Sequence, residues 1–254
     1  MKIKDLQKNW DWFGRTDPLW AILTDNYKKG GKWDLNEFFL TGEQQIANVM
    51  KYIGSLGIKF SRNKALDFGC GVGRLTQPLA QYFDEVYGID IAPSMISLAK
   101  KYNRYSEKCR YYLNETNDLK LFPDNNFSFI YTSITLQHLK PSYSKNYIKE
   151  FLRVLSPHGI LIFQLPSNKI IGTGIIKKLK ALILRIVPKT LIDITYRNVK
   201  YISQPRMEMY GIERVEVIRL LEENRAKIMD IIPDQSAGSE WVSFQYCVTK
   251  KINA

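Results

Sequence analysis

Histidine is nearly absent from this chain: there are two in 254 residues, His138 and His158. Cysteine is scarce as well. Cys70, Cys109 and Cys247 are odd in number and lie far apart. These shortages argue against a Cys/His zinc module and a disulfide framework. No metal site is expected, and the thiols should be buried and free in a reducing compartment. Long apolar runs are missing too. The apolar stripe around residues 175–186 is interrupted by Lys177, Lys178, Lys180 and Arg185, which argues against a membrane span. The first twenty residues mix Lys2, Lys4, Asp5, Lys8 and Asp11 and show no secretory leader, so the expected location is cytoplasmic.

Acidic residues are outnumbered, 25 against 37 Lys and Arg, for a net charge of +12. The excess is local. Residues 168–206 hold nine Lys or Arg and one acid, Asp193. Such a segment suits phosphates, anionic lipid or an acidic substrate, or it is a solvated basic face. Hydrophobic residues make up 45% and charged residues 24%, ordinary values for a globular α/β chain of one core.

What is present is an alternation of short apolar runs and helical stripes. The spacing predicts a helix over 43–57, a strand over 64–68, a helix over 74–83, a strand over 85–90 and a helix over 93–103. Strands at 109–113 and 127–133, a helix at 142–155 and a strand at 159–165 follow. A helix at 212–224 and strands near 226–232 and 240–249 close the chain. Pro93 suits a helix first turn and Ser142 an N-cap. Residues 241–248 alternate like an edge hairpin arm. The rhythm requires right-handed crossovers and a parallel, doubly wound sheet. Residues 1–42 carry four of the five tryptophans, among them Trp10 and Trp12. Aromatics at that density need something to cover. Within 168–206, Ile175, Ile176, Leu179, Leu182, Ile183 and Ile186 form a helical stripe that Pro188 ends.

The stretch Asp67-Phe68-Gly69-Cys70-Gly71-Val72-Gly73-Arg74 carries the most information. A strand runs into it and a helical pattern leaves it. Its glycines fall at every second position, unlike the Gly-x-Gly-x-x-Gly of a dinucleotide site. Asp90 closes the next strand 23 residues after Asp67, where a ribose-binding carboxylate belongs. Leu121-Phe122-Pro123-Asp124, Thr135-Leu136-Gln137-His138-Leu139 and Ser156-Pro157-His158-Gly159 follow in order. Over residues 43–167 this series resembles the class I S-adenosylmethionine (SAM) dependent methyltransferases of the small-molecule and glycan type.

The resemblance implies a three-layer, doubly wound, Rossmann-like α/β fold. It would have a mostly parallel seven-stranded sheet with an antiparallel last strand. Residues 1–42 would form an aromatic helical lid over a domain spanning 43–254, with a cap insertion at about 168–210 after the fifth strand. SAM would be the cofactor and S-adenosylhomocysteine the product. Asp67, Gly69, Cys70, Gly71, Gly73, Arg74 and Leu75 would hold the methionine end, and Asp90 the ribose hydroxyls. Ile91 and Met95 would cover adenine, with Asn117, Asp118 and Leu119 beside it. Ser133 and Ile134 would lie by the sulfonium. His138 is the candidate general base, with a structural place in the pocket wall as its alternative. Trp12, Glu208, Tyr210, Asp234 and Trp241 are candidate substrate contacts.

The expected acceptor is a hydroxyl or amine of a small molecule or sugar. A nucleic-acid acceptor is disfavoured, because Tyr131-Thr132-Ser133-Ile134 stands where an Asn/Asp-Pro-Pro-Tyr sequence would mark base methylation. The alternatives are a SAM-binding regulatory protein without turnover, and an enzyme for a lipid-linked acceptor. In the second case the basic insertion would touch a membrane surface. The number of subunits is left open.

Overall fold

The structure is a computed structural model, and it describes residues 2–170 and 205–250. The expected insertion helix and Lys177, Lys178 and Lys180 lie outside the described residues.

Three helices come first: α1 (Ile3–Thr16), α2 (Pro18–Ile22) and α3 (Leu35–Ser55). Then β1 (Lys64–Phe68), α4 (Thr76–Leu79), β2 (Glu85–Asp90), α5 (Pro93–Tyr102), β3 (Cys109–Leu113) and β4 (Phe127–Thr132) follow. One tight turn of helix at Leu136–His138 leads to α6 (Pro141–Val154) and β5 (Leu155–Lys169). The chain closes with α7 (Arg214–Glu223), β6 (Ala226–Asp234) and β7 (Trp241–Lys250).

The seven strands form one sheet in the order β3-β2-β1-β4-β5-β7-β6. β1 pairs in parallel with both β2 and β4, and β7 is antiparallel to β5 and β6. Expected fold and observed fold agree in this. β7, however, is not at an edge: it is inserted between β5 and β6, and β6 takes the edge. It is the inner arm of the edge hairpin, and Tyr246, Cys247 and Val248 are buried.

Both faces of the sheet are covered, so the central strands are continuous apolar runs rather than alternating ones. Leu66, Phe127, Ile130 and Leu161 pack with Phe151 of α6 and Leu221 of α7 on one face. Ala65, Val86, Phe129 and Ile162 pack with Ile46 of α3 and Ile96 of α5 on the other. Each fully buried phenylalanine or leucine is worth about 1.5–3 kcal/mol. The three cysteines are free and buried, as the sequence leads one to expect.

Some boundaries differ from expectation. α3 begins eight residues before the expected 43, because Asp34 Oδ1 accepts the Glu37 N–H at 2.9 Å. The apolar face then runs back through Phe38 and Phe39. α6 starts on Pro141 with Lys140 before it, so Ser142 is not the cap. The expected helix 74–83 shrinks to the four residues of α4, since Gly71 and Gly73 have positive φ and keep the chain in turns until Leu75. Among the described residues, no helix is long and apolar enough to cross a membrane.

Candidate active site

The strand order reverses between β1 and β4, the position at which open α/β sheets bind ligands beyond their carboxyl ends. The structure has a cavity there of about 900 Å³, counting its open mouth. Its walls come from β1 and the glycine turn, β2, the residue after β3, the segment after β4, and α1 and α2.

The glycine turn is stitched to β2: the N–H groups of Gly69 and Cys70 both donate to the Ile89 carbonyl, at 2.8 and 2.9 Å. Gly69 has φ +76°, and a Cβ there would sit 2.3 Å from Thr135 Cγ2. At Gly71, φ is +53° and a Cβ would meet Ile22 Cδ1 at 2.5 Å. The wall is thus bare backbone that any side chain would fill. Gly73 faces the other way, onto the Tyr111 ring, and does not line the cavity.

Asp90 lies beside this bare wall. Its two carboxylate oxygens accept the N–H groups of Gly71 and Ala92, each at 2.9 Å. Each oxygen keeps a further lone pair. Burial raises the carboxyl above its ordinary range, and the Ala92 and Gly71 amides oppose that shift. Ile91 and Met95 give the cavity apolar wall next to it.

Arg74 is 3% exposed and lines the cavity. Its guanidinium donates to Thr41 Oγ1 at 3.3 Å and Gln45 Oε1 at 2.8 Å, both neutral. Its Nε has no partner, and Arg74 makes no ion pair among the described residues. Burial pushes the group down to about 10. An anionic group entering the cavity would relieve this arrangement.

Of the other expected residues, Cys70, Leu75, Ser133, Ile134 and His138 line the cavity. His138 Nδ1 lies 2.8 Å from the Glu208 carbonyl, and its ring meets Trp10 edge-on at 5.0 Å between centroids. Asn117, Asp118 and Leu119 do not line it, nor do Trp12, Glu208, Tyr210, Asp234 and Trp241. The side chain of Glu208 faces the Tyr210 hydroxyl instead, and Asp234 faces Ser236. Trp12 lies 44% exposed on the outer side of α1.

Asp67 is 1% exposed and lies beneath the turn rather than on the cavity wall. Its Oδ2 accepts the Thr76 hydroxyl at 2.6 Å. Burial pushes its carboxyl up to about 7, against the Thr76 hydrogen bond and the Arg74 charge. A folded value above the unfolded one means that the native state holds a proton which the unfolded chain releases. This stabilising share is present below pH ~4 and is lost as the pH rises through about 7. Asp67→Asn cannot ionise. Its melting temperature relative to the parent is therefore expected to climb from pH ~4 to ~7 and to level off above. The climb is equivalent to at most about 1.4 kcal/mol for each pH unit crossed. A difference flat in pH, read by scanning calorimetry, would show that Asp67 is ionised throughout.

Several lining residues have no sequence motif. Asn114, just after β3, donates to the Asp118 carbonyl and the Tyr147 hydroxyl at 3.0 and 3.3 Å. Its one signal is being the first polar residue after a strand end. Ile3, Leu6 and Trp10 follow the inward stripe of α1, and Ala21 and Ile22 come from α2. α1 is held there by Gln7, which donates to the Ile91 carbonyl at 3.2 Å, and by Asp11, which accepts the Ser94 N–H at 2.9 Å.

Comparison with known proteins agrees with this geometry. A family model described as a methyltransferase domain matches residues 66–163. The chain is 29% identical over 119 residues to the ubiquinone biosynthesis O-methyltransferase of Cereibacter sphaeroides, covering 47% of each. It is 36% identical over 118 residues to phosphoethanolamine N-methyltransferase 3 of Arabidopsis thaliana, covering 45% of this chain and 23% of the relative. The chain thus spans about half the length or less of these curated relatives. In fold it is similar to the Synechocystis magnesium protoporphyrin IX methyltransferase crystallised with S-adenosylhomocysteine. The TM-score is 0.64 at 16% identity, over 98% of this chain and 100% of that one. The matched stretch runs from β1, just before the glycine turn, into β5, the strand after α6, and over it the chain is similar to the methyltransferase domain family.

Proposed function

We propose that this chain binds SAM in the cavity and transfers its methyl group to a hydroxyl or amine of a small molecule or sugar. One observation carries the reading: the bare Gly69–Gly71 backbone and the Asp90 carboxylate share one wall. The free lone pairs of Asp90 suit the two ribose hydroxyls. The unpaired Arg74 suits the methionine carboxylate, and Ile91 and Met95 suit the adenine faces. When bound, SAM supplies an electrophilic methyl on a sulfonium, so the protein needs no metal to activate it.

The chain's own share is to align, to exclude water and to take a proton. Alignment of an acceptor against the methyl is worth about 7–11 kcal/mol in well-oriented systems. α1 and α2 contribute Ile3, Leu6, Trp10, Ala21 and Ile22 to the cavity wall, so residues 1–42 act as its lid over the domain of 43–254. An acceptor hydroxyl must lose its proton on transfer. His138 is the one described imidazole on the cavity wall, and burial holds its pKa below the usual histidine range, which keeps it neutral near pH 7. These features favour a hydroxyl acceptor, as does the O-methyltransferase among the relatives. The N-methyltransferase relative supports the amine alternative.

Calorimetric titration with SAM and with S-adenosylhomocysteine tests the reading. Saturable binding of both, at micromolar to sub-millimolar Kd, is expected. No heat of binding at millimolar ligand would overturn it.

A further inference from the structure

We infer that Gln164 and Gln137 are positioning residues that fix the tautomer of His138, keeping its proton on Nδ1 and its lone pair on Nε2. The inference rests on the proposal that His138 serves as the base, but the hydrogen bonds behind it are independent of that reading.

A chain of buried amides runs from β5 to the cavity. It starts at Ile134, a β-branched residue held at φ +51°, where such residues are rare. That twist accompanies a backbone N–H aimed at Gln164 Oε1, 3.0 Å away. A backbone N–H can only donate, so the oxygen of Gln164 must face it. Gln164 Nε2 then donates to Ser243 Oγ at 2.7 Å and to Gln137 Oε1 at 3.2 Å. Gln137 is thereby oriented as well, with its Nε2 facing His138 Nε2 at 3.3 Å. An amide NH₂ only donates, so the His138 nitrogen it meets must be the one without a proton.

The other side of the ring gives the same answer. His138 Nδ1 lies 2.8 Å from the Glu208 carbonyl, which can only accept. Nδ1 therefore carries the proton. Two backbone groups, the Ile134 N–H and the Glu208 carbonyl, impose one tautomer from opposite ends. Gln137, Gln164 and Ser243 are 5%, 2% and 3% exposed, so water does not compete for these bonds.

The consequence is a base with its acceptor nitrogen preset. The 3.3 Å contact from Gln137 is long, and an acceptor hydroxyl reaching Nε2 displaces it. The hydroxyl proton moves to Nε2 as the oxygen forms its bond to the methyl carbon and the carbon–sulfur bond breaks. The imidazolium then keeps its Nδ1–H on the Glu208 carbonyl until it releases a proton to solvent.

The test is long-range ¹H–¹⁵N correlation of the imidazoles in the full chain without cofactor. The chain has two histidines, and exposed His158 serves as the internal reference. The expected spectrum shows His138 protonated on Nδ1 alone at pH 7.5. In Gln164→Leu, Gln137 is free to turn its oxygen towards Nε2 while the Glu208 carbonyl still holds the Nδ1–H, so His138 should shift towards the imidazolium while His158 is unchanged. Gln137→Glu is the second variant, nearly isosteric, and decides the matter if Gln164→Leu does not fold. It should hold His138 doubly protonated at pH 7.5. A His138 spectrum identical to the parent in the folded variants would overturn the inference, as would an Nε2–H tautomer in the parent. Once an acceptor is known, Gln164→Leu should lower kcat about tenfold or more with little change in SAM affinity. Absence of SAM binding would instead overturn the proposed function and leave the tautomer reading intact.

Discussion

Alanine at His138 is expected to lower kcat for a hydroxyl acceptor by about 10²–10⁴-fold, with the Kd for SAM changed less than about twofold. The split follows from the geometry. His138 stands on the cavity wall after β4, on a different element from Asp90 at the end of β2 and from the glycine turn after β1. Loss of a group that acts only when the proton moves lowers kcat and spares cofactor binding. The pH profile separates a base from a wall residue. Burial holds the imidazole below the ordinary histidine range, and the hydrogen bond to the Glu208 carbonyl pulls the other way. The base is active when neutral, so the rate falls as the pH drops through that depressed value, and the plateau extends below pH ~6.5. The alanine variant should lack this acid limb. A His138→Ala enzyme with near-parental kcat across the same range would make the residue part of the wall only.

The elements that hold the site are readable in the sequence because their causes are local. A buried parallel strand is a short apolar run, and a turn that must pass a ligand closely needs residues without Cβ at fixed intervals. Asp67, Gly69, Gly71 and Asp90 therefore announce where β1 and β2 end. What is not readable depends on side chains that meet only after folding. Trp10 belongs to a stretch visibly rich in aromatics, but nothing local says that it, and not Trp12 two residues on, turns inward against His138. Gln137 sits in a recognisable segment but Gln164, 27 residues on, carries no pattern, and they meet because β5 pairs with β4. Asp67 misleads in the opposite sense. It opens the most recognisable motif of the chain, yet its carboxyl is spent on Thr76 beneath the turn, leaving the wall to backbone. β7 reads as an edge arm because hairpin sequence does not record which arm joins the sheet, and pairing with β5 settles it.

Asp90→Ala is expected to weaken SAM binding by about 10- to 150-fold, the equivalent of about 1.5–3 kcal/mol for hydrogen bonds to a charged group. The carboxylate already accepts from Gly71 and Ala92, and these two bonds fix its plane against the cavity. The ribose hydroxyls would take the remaining lone pairs, so the loss falls on binding. The variant also leaves two amides without their acceptor. Gly71 lines the cavity, where water can replace the lost acceptor, whereas Ala92 is fully buried, so a lower melting temperature is expected. Asp90→Asn completes the argument. It preserves volume but removes the charge and replaces one acceptor oxygen with a donor, which must either oppose an amide N–H or force a ribose hydroxyl to accept instead of donate. Its affinity should fall nearly as far as that of alanine. The pH dependence gives the sign independently. Burial raises the Asp90 carboxyl above its usual range, and a protonated carboxyl loses part of its accepting capacity, so the parental Kd should rise as the pH falls through that raised value. The Asn variant should show no such rise. Titration calorimetry of the three proteins at pH 5.5 and 7.5 reads both effects, and equal Kd values for parent and Asp90→Ala would remove Asp90 from the cofactor site.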